Sequence, residues 1–95
     1  MNLDDLRLDI DTLDAKILSL LNQRMEKALL TKKFKTSIED SGREAAVLER
    51  IRRSSTSLID PSFSTDLYSR IIAESKNLQA KGYKTIGFQG EHGAY

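Results

Sequence analysis

Apolar residues recur at spacings of three and four from the start of the chain: Leu3, Leu6, Ile10, Leu13, Ile17, Leu21 and Ala28. That spacing is the signature of one helical face and predicts a single long helix from Leu3 to about Thr36. At roughly 100° per residue, Arg24 and Lys35 project into the same apolar stripe. A second helix is expected from Ser41, where Ser41 and Glu44 have the S-x-x-E spacing of a capping box and Gly42 lies outside the helix interior. Ala45, Leu48 and Ile51 would form its apolar face, and it would fray through Ser54, Ser55 and Ser57. A third helix starts at Asp60-Pro61, an N-cap followed by proline at its favoured position. Phe63, Leu67, Ile71 and Leu78 would line its buried face, and Gly82 would end it. The pattern is all-α, with three helices per protomer, one of them very long.

A helix of ~34 residues is ~50 Å long, whereas a compact domain of this size has a radius of gyration near ~13 Å. The first helix must overhang its own fold, so an obligate, intertwined helical homodimer is expected. Asp4, Asp5, Asp9, Asp11 and Asp14 occupy the first half of that helix, and Lys27, Lys32, Lys33 and Lys35 the second. Antiparallel pairing would set acidic halves against basic halves. The helical domain is expected over residues 1–82. Four of the five glycines (Gly82, Gly87, Gly90, Gly93) then fall at the end of the chain, around a short strand at Thr85–Phe88. A lone strand is not stable, so residues 83–95 read as a linker or the start of a following domain.

The net charge of +1 lacks the basic excess of a nucleic-acid binder. The chain has no cysteine, hence no disulfide or thiolate–metal framework, which fits a reducing compartment. No apolar run approaches the ~20 residues of a membrane span, and the acidic start is unlike a signal peptide. The expectation is a soluble cytoplasmic domain. His92, the one histidine, sits in the glycine-rich tail as a loop residue. No Ser-His-Asp arrangement and no zinc site can be assembled, and neither a metal nor a cofactor is expected. Lys32 and Lys33 read as solvated, with a secondary role in attracting an anion.

The buried faces carry chemistry instead. A buried, unpaired charge costs several kcal/mol or more. Too few carboxylates share the stripe of Arg24 and Lys35 to neutralise them, so the compensating anion is expected to be a ligand. Glu44 shares the stripe of Leu48 and Ile51, Ser75 and Gln79 continue the row of Leu67 and Ile71, and Arg7 lies at the edge of the first stripe. All but Arg7 have a structural alternative: an interface ion pair for Arg24, snorkelling for Lys35, the capping box for Glu44, a bond back to the Ile71 carbonyl for Ser75, a frayed end for Gln79. Their joint occurrence on three helices argues for a site inside a bundle. With no nucleophile–base pair, it would act through electrostatics and positioning.

The spacing resembles the all-helical class of chorismate mutase, in particular mutase domains fused to prephenate dehydratase. The resemblance spans Leu3 to about Lys81. It rests on Leu6-Arg7, the run Leu13-Asp14 through Arg24, Lys35, Arg43-Glu44 followed by Leu48-Glu49-Arg50-Ile51, and Ile71-Ile72-x-Glu74-Ser75-x-x-x-Gln79. Thr85 to Tyr95 resembles the opening strand and glycine turn of a prephenate dehydratase domain. The family implies a homodimer whose sites draw on both chains. It also implies the unimolecular Claisen rearrangement of chorismate to prephenate, without cofactor, towards phenylalanine and tyrosine. By resemblance, Arg24 and the partner's Arg7 bind the substrate carboxylates, with Arg43 assisting and Ser75 as a lesser contact. Glu44 accepts from the substrate hydroxyl, helped by backbone near Asp40, while Lys35 and Gln79 donate to the ether oxygen. Two other readings stay open: an isochorismate-pyruvate lyase on the same scaffold, and a non-catalytic helical dimerisation module.

Overall fold

The computed structural model of the chain describes residues 1–34 and 40–82. Helix α1 runs Leu3–Thr31. Its N-cap is Asn2, whose side chain accepts the Asp5 N–H at 2.9 Å, and Asp4 and Asp5 place negative charge at the positive end of the helix dipole. The expected single helix to Thr36 stops short: Lys32–Phe34 is a 3₁₀ turn. The Lys32 N–H reaches back to the carbonyls of both Leu29 and Leu30, the tightening by which helix ends satisfy their last carbonyls. No glycine or proline marks this point, so the apolar spacing alone runs past it.

Helix α2 spans Ser41–Ser54. Its N-cap is Asp40, whose carboxylate accepts the Arg43 N–H at 2.9 Å. The expected capping box on Ser41 is therefore displaced by one residue: an aspartate caps at least as well as a serine, and Glu44 is engaged elsewhere. On the outer face Glu49 pairs with Arg52 and Arg53, and the Arg52 guanidinium holds its carboxyl below the usual carboxylate range. Helix α3 spans Pro61–Lys81 and starts as expected, with Asp60 as N-cap and Pro61 in its first turn. The Ser62 hydroxyl and N–H both donate to the Asp60 carboxylate, which holds it below its ordinary range. Gly82 ends the helix at φ +72°, a left-handed conformation that glycine adopts without a Cβ penalty.

Both α1 and α2 pack against α3. Among the described residues the buried apolar side chains are few: Leu29 of α1, Val47 of α2 and Ile71 of α3. Two sequence expectations need correction. On α2 the buried residue is Val47, with Leu48 and Ile51 half-buried and Ala45 exposed, because α2 turns its Glu44–Val47–Ile51 row toward α3. On α3 only Ile71 of the expected face is buried; Leu78 is half-buried, and Phe63 (60% exposed) and Leu67 (43%) lie on the outside of the lone chain.

The overhang of α1 is present. At 1.5 Å per residue the helix is about 43 Å long, and the chain measures 51 × 34 × 16 Å. Its radius of gyration of 16.1 Å exceeds the compact expectation. Leu3, Leu6, Ile10, Leu13 and Ile17 are between 43% and 59% exposed. Among the described residues, no helix is long and apolar enough to cross a membrane. Lys35, the strand at Thr85–Phe88, His92 and the whole segment 83–95 lie outside the described residues.

Candidate active site

Three short rows of side chains with the same spacing converge on one cavity of about 250 Å³. Helix α1 contributes Arg24, Lys27, Ala28 and Thr31 from its last two turns. The start of α2 contributes Asp40, Arg43, Glu44 and Val47, and the second half of α3 contributes Ile72, Ser75, Lys76 and Gln79. Each row is i, i+3, i+4, i+7, one face of a helix. Among the described residues the lining has four cations (Arg24, Lys27, Arg43, Lys76) and two carboxylates (Asp40, Glu44), a formal excess of two positive charges.

Arg24 is half-buried. Its Nη1 donates to the Ser75 hydroxyl at 3.2 Å, and its guanidinium carbon stands 5.7 Å from the centre of the Tyr68 ring, within cation–π range. Among the described residues no carboxylate pairs with it. Ser75 is buried and donates back to the Ile71 carbonyl at 3.0 Å, while its oxygen also lies 3.3 Å from Met25 Sδ. The back-bond and the contact with Arg24 thus coexist.

Gln79 is 3% exposed, so it does not belong to a frayed end. Its Nε2 donates to the Ala28 carbonyl at 2.6 Å and makes a long contact of 3.4 Å to the Thr31 hydroxyl. Its Oε1 is buried and has no hydrogen-bond partner among the described residues. Lys32 is exposed, as expected, and its Nζ also donates to the Gln79 carbonyl at 2.6 Å. A cation at the negative end of α3 is favourable through the helix dipole as well as through that bond. Glu44 does not return to its own helix start: both its carboxylate oxygens lie 2.9 Å from Lys76 Nζ.

The fold therefore brings together six of the residues singled out in the sequence: Arg24, Asp40, Arg43, Glu44, Ser75 and Gln79. It does not bring Arg7 to them. Arg7 is exposed on α1, about 25 Å from Arg24 along the helix axis at 1.5 Å per residue. Lys35 lies outside the described residues. Lys27, Thr31 and Lys76 also line the cavity, and no sequence feature marks them as site residues beyond the helical row that Lys76 and Gln79 share at i, i+3. A lysine beside a buried serine reads as solvated, because its long stem can reach water from either side of a helix.

The family model described as chorismate mutase type II matches residues 6–80. None of the curated proteins and none of the solved structures matches the chain significantly.

Proposed function

The chain belongs to the chorismate mutase type II family, an isomerase family, and from that premise we propose that the cavity between its three helices converts chorismate to prephenate. The observation that carries this reading is the cavity's formal excess of two positive charges, with Arg24 free of any carboxylate partner among the described residues. Chorismate bears two carboxylates and would balance that excess. The rearrangement breaks the ether C–O bond as a new C–C bond forms within one molecule, so no group needs to be stored on the protein.

Arg24 and Arg43 bind substrate carboxylates, completed by the partner's Arg7. Ser75, already bonded to Arg24, fixes the guanidinium and adds a minor contact. Glu44 accepts from the substrate hydroxyl next to the backbone at Asp40. Gln79 donates to the ether oxygen as negative charge develops there, through the Nε2 hydrogen now spent on the long contact to Thr31. Lys35 is the second donor. Holding the substrate in its reactive conformation removes part of the entropic barrier, and preorganised donors stabilise the charge of the transition state. The reaction lies on the route to phenylalanine and tyrosine.

The test is the loss of chorismate absorbance with identification of the product. Saturable turnover yielding prephenate is expected. Pyruvate released from isochorismate, or no turnover of chorismate by a folded chain, would overturn the assignment.

The enzyme works as a homodimer in this reading, since an Arg7 distant from its own cavity needs a second chain. Five half-exposed residues on α1 forgo roughly 5 kcal/mol of burial, comparable with the whole stability of a small domain. Leu13, 55% exposed, is a central member of that face. Leu13→Asp is expected to convert a dimer into a poorly helical monomer, read by sedimentation velocity and circular dichroism. A wild-type chain that sediments as a fully helical monomer would remove the dimer from this account.

A further inference from the structure

One contact inside the cavity has no part in the chemistry above. Lys76 Nζ lies 2.9 Å from both oxygens of Glu44 and ties the start of α2 to the second half of α3. The two side chains are only 28% and 23% exposed, so water and salt screen this pair less than a surface one. Glu44 also shares the cavity with two guanidinium groups, Arg24 and Arg43. A guanidinium is the stronger partner for a carboxylate, because its planar fork offers two parallel donors where an ammonium offers a point charge. An arginine captured by Glu44 would be lost to an anionic ligand. Yet Arg24 is held by a hydroxyl, and Glu44 is held by a lysine.

We propose that Lys76 is a positioning residue that keeps Glu44 on the α3 side of the cavity, leaving Arg24 and Arg43 for the carboxylates of the substrate. An ionised carboxylate has about four acceptor sites, so Glu44 can hold Lys76 and still accept from a substrate hydroxyl. Lys76 acts through Glu44 and has no reacting atom as its target. The inference rests on the chorismate reading, and it adds a residue that sets how many cations that site can present.

The experiment is a double-mutant cycle on the full chain with Lys76→Met, Glu44→Gln and the double variant, with Lys76→Arg as the conservative control. Chorismate kinetics and thermal unfolding are both recorded. Lys76→Met is expected to raise KM about tenfold with kcat nearly unchanged, within the range of coupling seen between touching residues. Lys76→Arg should recover most of that loss. In the Glu44→Gln background the same Lys76→Met change should leave KM within about twofold, and the losses in Tm should be non-additive. Additive effects on KM, or a KM that Lys76→Met leaves unchanged in a folded protein, would overturn the proposal while the mutase reading stands. Absence of turnover in the wild type would overturn the mutase reading, and this inference with it; non-additive Tm losses would then establish the ion pair as structural only.

Discussion

Arg24→Ala is expected to lower kcat/KM for chorismate by about 10²–10³-fold, the scale seen when one preorganised donor to developing or bound charge is removed. The same substitution should barely change stability. Arg24 makes one charge-assisted hydrogen bond to Ser75, worth about 1.5 kcal/mol at the low end for a half-buried group, and one cation–π contact with Tyr68 worth about 1 kcal/mol. Against those losses stands the relief of a partly desolvated cation that, among the described residues, has no carboxylate partner. Ser75 keeps its bond to the Ile71 carbonyl, so no buried hydroxyl is orphaned. The combination is diagnostic: activity collapses while Tm and helicity hold or rise, as befits a residue retained for function at a cost in stability. Steady-state kinetics and thermal unfolding by circular dichroism check it. Normal turnover with a lowered Tm would make Arg24 an architectural residue.

Gln79→Glu should produce the second large effect, one that depends on pH. An amide donates at any pH, whereas a carboxyl group donates only when protonated, and the reference glutamate value is about 4.3. At about pH 7.5 the new side chain would be mostly a carboxylate, unable to donate to the ether oxygen and repelled by the Ala28 carbonyl that Nε2 now contacts at 2.6 Å. Loss of about 10²-fold in kcat/KM is expected there, with recovery as the pH falls toward 5. The sign of the stability effect follows the same logic. Burial raises the folded-state value of this carboxyl above the unfolded one. Its destabilisation therefore grows as pH rises through the unfolded value and fades in acid. The wild type should be nearly flat between pH 6 and 8, since the Gln79 amide needs no protonation to donate and, among the described residues, neither histidine nor cysteine lines the cavity. A pH–rate profile of both proteins decides the matter. An unchanged profile in Gln79→Glu would remove Gln79 from the donor role, and a steep wild-type loss between pH 6 and 8 would count against an amide-based mechanism altogether.

Most of the helical architecture is legible from local chemistry. Asp60, Pro61 and Gly82 bound α3 through interactions within a few residues of each other, so their spacing suffices. Ser75 and Gln79 stand out because a polar residue four positions along a buried row has nowhere else to point. Arg24 stands out for the same reason, as an uncompensated cation within an apolar stripe.

Other features depend on what each helix meets. Asp40 and Ser41 are both good caps on paper, and it is the Asp40 carboxylate that accepts the Arg43 N–H in the fold. Ala45 and Val47 could each belong to the α2 core face; α3 decides for Val47. Lys32 and Lys76 look like solvated lysines, since a flexible stem is compatible with water or with a buried anion or carbonyl. Lys32 finds the carbonyl end of α3, and Lys76 finds Glu44, across sequence separations that no periodicity encodes.

By itself, then, the sequence determined the three helices, most of their ends and four side chains destined for one cavity (Arg24, Glu44, Ser75 and Gln79), because propensity, capping and periodicity act within about two helical turns; Asp40 and Arg43 entered only through the family resemblance. Only the tertiary structure decided which charges touch. The pairing of Glu44 with Lys76, the hydroxyl beside Arg24 and the carbonyls that hold Gln79 and Lys32 arise from packing between helices distant in the chain, where a shift of one residue turns a side chain by about 100°.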